Sequence, residues 1–205
     1  MFKLKKRVVM ASILSMALLG GSGYYYMHER MIDTVEIHAL YARGFANIQE
    51  MKDYADIVIV GTPTQNFMDS NHVLKTSSSG DILDFFTKRD FKIEKVIKDS
   101  NSKVKPDEVV SFIEPASILQ TPIGKQKLVT EGYEELKKNV KYVIFLKKNS
   151  KQEYSMFYGN LSSYDLDGAS PQKTRSSDSS SSPAEHNGKK TEFKKQVHEL
   201  LNTAN

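Results

Sequence analysis

Ala55-Asp56-Ile57-Val58-Ile59-Val60-Gly61-Thr62 decides the fold. Its apolar, β-branched centre predicts a buried central strand. Pro63 limits how far regular pairing continues beyond it. Immediately upstream, Asn47 is placed to cap a short helix, with Glu50 three residues on as its capping-box partner. Ile48, Met51 and Ala55 then share one helical face.

Working outward, residues 68–80 are polar and turn-rich and read as a long exposed loop, a setting in which binding often resides. Residues 82–97 resume strand character, with Phe85, Phe86, Phe91, Ile93, Val96 and Ile97 as core contacts. Alternation fails at Glu94-Lys95 and predicts a bulge there. Asp99-Ser100-Asn101-Ser102 is a turn, and Val109-Val110-Ser111-Phe112-Ile113 the next strand. Residues 132–140 read as a short helix with Tyr133, Leu136 and Val140 on one side. Tyr142-Val143-Ile144-Phe145-Leu146 and Tyr154-Ser155-Met156-Phe157-Tyr158 form a hairpin across Asn149-Ser150-Lys151. The links are too short or too polar for the crossover helices of a parallel α/β sheet. The expectation is a mainly β (α+β) body with short helices, built as a small five-stranded barrel over residues 47–167.

At the N-terminus, Lys3, Lys5, Lys6 and Arg7 precede an uncharged, mainly apolar run over residues 8–27. That is a membrane anchor or export signal, residues 1–27, with its N-terminus inside. The run reaches the roughly 20 residues a spanning helix needs. Tyr24-Tyr25-Tyr26 suits an interfacial aromatic belt, while Gly20-Gly21-Ser22-Gly23 suits cleavage near Gly23 and secretion. Residues 28–46 follow as a juxtamembrane segment. At the other end, residues 168–190 include Ser176-Ser177-Asp178-Ser179-Ser180-Ser181-Ser182 and read as a disordered linker. Thr191 then opens a final helix, residues 191–205, with Phe193, Val197, Leu200 and Leu201 in one stripe. That stripe either docks on the domain, serves a partner, or leaves a helix marginal in solution.

Three segments carry a family resemblance. They are residues 55–62, then Phe91-Lys92-Ile93-Glu94-Lys95-Val96-Ile97-Lys98, then Gly132-Tyr133-Glu134-Glu135-Leu136-Lys137-Lys138-Asn139 followed by the strand at 142–146. Together they resemble a group of uncharacterised exported proteins of Gram-positive bacteria. The resemblance implies an OB-like barrel similar to netrin and metalloproteinase-inhibitor domains. Asn139 stands where that pattern has glycine, and asparagine also tolerates a left-handed backbone. Metalloproteinase inhibitors of that fold use an N-terminal cysteine on zinc; this chain has no cysteine, so that mode of inhibition is not implied.

Cysteine absence also excludes disulfides, thiolate metal sites and lipid attachment through a lipobox. Net charge is +4 and the isoelectric point about 9.0. In an exported chain that charge suits an anionic polymer or lipid headgroup rather than nucleic acid. His28, His38, His72, His186 and His198 are scattered and set no metal-ligand spacing. Phosphate-cradling glycine loops and nucleophile elbows are missing. A phospholipase D or cardiolipin-synthase activity would need His-x-Lys-x4-Asp twice. The nearest approach, His72, Lys75 and Asp81, has the wrong spacing and occurs once. Asp81 with Asp84, or Glu134 with Glu135, reads as solvated surface. No catalytic, cofactor-binding or metal-binding residue is nominated, and no cofactor is expected. The expected function is a membrane-anchored or secreted extracytoplasmic binding or structural module. Its membrane contact is residues 8–27, and an envelope protein or anionic polymer is the partner. Loop 68–80 and aromatics at 154–158 would make contacts. The alternative is an envelope enzyme or inhibitor acting through loops.

Overall fold

A computed structural model of the chain describes residues 23–38, 44–130, 132–168 and 183–203. The described part is mainly β, with three helices and ten strands. Residues 23–29 belong to helix α1, followed by β1 (Met31–Ile37), α2 (Ile48–Tyr54) and β2 (Ile57–Pro63). Next come β3 (Asn71–Thr76), the 18-residue β4 (Ile82–Asp99), β5 (Val109–Glu114), β6 (Ala116–Thr121) and β7 (Gly124–Thr130). β8 (Tyr142–Lys148), β9 (Tyr154–Met156), β10 (Ser163–Asp165) and α3 (Pro183–Thr203) complete the order.

Asn47 caps α2 as its sequence predicts: its side chain accepts from the Glu50 amide at 2.8 Å. Glu50 answers one residue earlier than expected, on the Ala46 amide at 2.8 Å. The other end of α2 is held by Lys98, whose ammonium donates to the carbonyls of Lys52, Asp53 and Ala55 at 2.9, 2.8 and 2.6 Å. A cation there satisfies terminal carbonyls and complements the helix dipole.

β2 is the buried strand its composition predicts. Ile57 and Ile59 face one core and Val58 and Val60 another. β8 behaves the same way, with Ile144 and Leu146 on one side and Val143 and Phe145 on the other. Both therefore read as unbroken apolar runs. β2 pairs antiparallel with β4 and with β8. β4 pairs antiparallel with β5, β5 parallel with β9, and β9 antiparallel with β8. The pairing path β2-β4-β5-β9-β8 thus returns to β2. β10 adds to the other edge of β8, and β3 to the first half of β4. The expected bulge is present: Val60 and Gly61 face Lys95 and Ile93, which leaves Glu94 over.

Several expectations need correction. Residues 68–80 are not one exposed loop: a 3-10 turn (Phe67–Asp69) leads into β3, which pairs with β4. Residues 132–140 form no helix; the backbone turns at Gly132 and Asn139, both at positive φ (67° and 63°). Tyr133 and Leu136 are nonetheless buried. A second sheet, β1-β7-β6, was not anticipated, and it draws residues 31–37 into the body because β1 pairs parallel with β7. The domain therefore begins before residue 47. Most of the predicted membrane segment, residues 1–22, lies outside the described residues; 23–27 lie in α1. Among the described residues no helix is long and apolar enough to cross a membrane. Of the predicted linker, 169–182 lie outside the described residues, whereas 183–190 are helical. Pro183 suits a first helical position, so α3 starts there and Thr191 is interior rather than a cap.

α3 docks on the body. Phe193 and Val197 are fully buried with Phe45, Ile48, Met51 and Phe145, and Leu200 and Leu201 pack partly against them. Burying the first two contributes about 2 kcal/mol each before entropy is counted. Gln196 also accepts from the Ile48 amide at 2.8 Å, which satisfies a free donor at the start of α2.

Gly61 sits where β2 crosses closest to β4: a Cβ there would lie 1.9 Å from the Lys92 carbonyl oxygen. Gly61→Ala is expected to lower the unfolding free energy by about 3 kcal/mol, read as a lower urea midpoint. An unchanged midpoint would mean that β4 yields at the bulge without loss.

Candidate functional site

His72, Lys75 and Asp81 do not converge on a common site. The His72 ring lies half-buried against Phe67, with Nδ1 2.8 Å from the Thr87 hydroxyl. Lys75 pairs instead with Asp84, and Asp81 accepts from Ser79 in its own turn at 2.5 Å. Glu135 pairs with Lys127 at 2.8 Å while Glu134 is exposed. Among the described residues no three His, Asp or Glu side chains gather in a metal-holding group. The aromatics at 154–158 do not stand out in solvent either: Phe157 and Tyr158 meet Phe45 edge-on at 5.7 and 5.1 Å.

Alternation along β4 turns Thr87, Arg89, Phe91 and Ile93 inward, so a guanidinium enters the core. Arg89 and Glu114 are 1% and 0% exposed, and Nη1 donates to Glu114 Oε2 at 3.0 Å. Nη2 donates to the carbonyls of Gln65 and Leu136 at 3.0 and 3.1 Å. Glu114 Oε1 accepts from the Tyr133 hydroxyl and the Leu136 amide, each at 2.7 Å. Burial pushes the Glu114 carboxyl up against the pull of Arg89, and pushes the Tyr133 hydroxyl well above its usual range. Next to it, Thr87 donates to the Ala116 carbonyl at 2.7 Å. Burial lowers His72, and the charge of Arg89 adds to that. The group is closed to solvent at its ion pair, so it fastens segments together rather than meeting a substrate. Sequence reasoning missed it; Arg89 at an inward position of an alternating strand was the available signal.

A cleft of about 200 Å³ lies where α3 meets the body, lined among others by Glu134, Ser163, Tyr164, Asp165, Lys190 and Lys194. Lys194 donates to Asp165 at 3.0 Å, and Lys190 donates to the Asn160 side-chain oxygen. Burial pulls the Lys190 amine down to about 8, opposed by Glu134 and Asp165. Burial also raises the Tyr164 hydroxyl. Helical spacing of four residues places both amines on one side of α3. They close the seam between α3 and β10, and the cleft is small for an organic ligand.

The outer face of β4 and β5 is broader and open. Lys88, Asp90 and Lys92 alternate outward opposite Ile113, Ser111 and Val109. Ser111 donates to Asp90 at 2.5 Å, and Lys88 pairs with Glu153 from the β8–β9 turn at 2.7 Å. Lys92 reaches Asp107 only at 3.7 Å, with about half its side chain exposed (54%). These are adaptable polar contacts on rigid strands, without a nucleophile.

Compared with protein-family models, with curated proteins and with solved structures, the chain has no match.

Two tests follow from this geometry. Arg89→Met leaves Glu114 buried without its cation and is expected to destabilise by about 3–5 kcal/mol. Tyr133→Phe leaves the ion pair in place and is expected to cost about 1 kcal/mol. Equal losses in urea unfolding would show that the pair is worth no more than one hydrogen bond. Lys190 has a folded-state value of about 8 against 10.5 for a free lysine. Between those pH values the unfolded chain binds more protons, so stability from this group rises as pH rises. Urea unfolding across that window is expected to show the rise in the wild type and not in Lys190→Gln. Parallel pH profiles would refute the buried amine.

Proposed function

We propose that the chain is a membrane-tethered, extracytoplasmic binding module built on an OB-like barrel, and not an enzyme. The observation that carries this reading is the five-strand circuit β2-β4-β5-β9-β8. β2, β4 and β5 pair antiparallel in turn, and β5 runs parallel with β9. That connectivity is the one expected of a small Greek-key OB barrel. Ile59, Phe91, Phe112, Ile144 and Met156 fill its inside, which supports a scaffold rather than a ligand cavity.

Barrels of this kind bind ligands on the second and third strands and neighbouring loops. Here those strands are β4 and β5, and the exposed Lys88 and Lys92 suit an anionic envelope polymer or an acidic protein surface. The basic n-region and the apolar run of residues 8–27 support export with the N-terminus inside.

The absence of cysteine allows single-cysteine variants of the full chain to be labelled cleanly. Val109→Cys, opposite Lys92 on the same face, is expected to react with a membrane-impermeant maleimide in intact cells. A benzophenone carried there is expected to give a discrete adduct on illumination, and one at Gln49→Cys on α2 is not. Labelling only after permeabilisation would overturn the location. Labelling without an adduct at Val109 would overturn binding at this face.

A further inference from the structure

We propose that the tip of the β6–β7 hairpin, with α1 and the start of β1, forms a lipid-contacting face that rests in the headgroup layer. The module is then seated on its membrane and does not merely hang from a tether. This rests on the reading of residues 8–27 as an anchor.

Of the eleven large exposed apolar side chains among the described residues, six fall within residues 24–32 and a seventh is Ile123; Met68, Ile82, Leu83 and Val109 lie in other elements. Tyr24, Tyr25 and Tyr26 are 66%, 69% and 72% exposed, and Met27, Met31 and Ile32 are exposed after them. Ile123, at the β6–β7 turn and more than ninety residues away in sequence, is 56% exposed. The fold brings it to the same place. The Lys125 amide donates to the Arg30 carbonyl at 2.8 Å. The Gln120 side chain donates to the His28 carbonyl at 3.0 Å, and Lys125 pairs with Glu29. Gly124 lies so close to Ile32 that a Cβ would be 2.6 Å from its side chain. The hairpin tip is therefore pinned beside the point where the chain leaves residues 1–22.

Lipid fits this surface better than a protein partner. Successive helical residues are about 100° apart, so residues 24–27 put apolar side chains nearly all round α1. A partner protein would cover one side of a helix; a surrounding medium covers all of them. Tyrosine is favoured where one end of the ring is apolar and the hydroxyl is wet, which is the headgroup level. Exposed Arg30 adds a cation at the height of anionic headgroups, while Lys125 is neutralised by Glu29. α1 residues 23–29 span only about 10 Å, so the tyrosines stay within that layer if the preceding run spans the core.

The test uses the full chain in vesicles of phosphatidylglycerol and phosphatidylethanolamine, with an environment-sensitive fluorophore on single cysteines. Spin-labelled lipids serve as quenchers. Three positions are compared: Ile123→Cys, Ala11→Cys within the apolar run, and Lys103→Cys. Lys103 lies in the β4–β5 connection, from which β5 and β6 carry the chain toward the hairpin tip. The expected result is a blue shift and quenching at Ile123 and at Ala11, with neither at Lys103. Quenching at Ala11 but not at Ile123 would overturn this face while leaving the anchor intact. No quenching at either position would overturn the anchor reading together with the face.

Discussion

A buried charge must be compensated, and the Arg89–Glu114 pair organises the body through that requirement. Further hydrogen bonds from the pair reach the Gln65 carbonyl, both the amide and carbonyl of Leu136, and the Tyr133 hydroxyl, while Arg89 Nε is buried without a partner. One ion pair thus ties β4, β5, the chain after β2 and the crossing between β7 and β8. The same demand explains why residues 132–140 are not helical. An interior helical residue gives its amide and carbonyl to its own helix, whereas Leu136 gives both to side chains. Such a pair is weak evidence for net stability, yet its loss on one side only would be costly. What the hydrogen bonds show is that it joins four segments distant in sequence.

Around that point the molecule has two cores sharing the strands β2 and β8. One lies within the strand circuit, with Phe91, Phe112 and Leu136; the other lies between the outer face of those strands and the helices α2 and α3. The second explains the C-terminal helix. Phe193 and Val197 complete a cover that α2 alone is too short to provide. Lys98 and Gln196 then bind the two ends of α2 to β4 and α3. The small cleft beside α3 is the margin of that seam, with Lys190 and Lys194 set along it.

The consequence for function is a division of surfaces. Rigid strands carry an outward polar face on β4 and β5, helices close the opposite side, and exposed apolar side chains gather where the chain enters from its N-terminal run. Residues 31–37 are paired with β7 and are not a free stalk, so the chain enters the body through a sheet.

Much was determined by the sequence itself, wherever the physics is local. The run Ile57-Val58-Ile59-Val60 read as a buried central strand, Asn47 and Glu50 announced a helix start, and the broken alternation at Glu94 marked a bulge. The stripe through Phe193 and Val197 was equally legible. Tertiary structure alone decided the rest, because long-range partners set the outcome. Lys75 chose Asp84 over any phosphate site, β1 joined β7 across nearly ninety residues, and Ile123 came to lie beside Ile32. Polar residues 71–76 became a strand because β4 is long enough to pair with them, and residues 132–140 lost their helix to Glu114. Propensity and period describe a segment on its own; a buried charge or an open strand edge is satisfied only by groups that the fold brings from elsewhere.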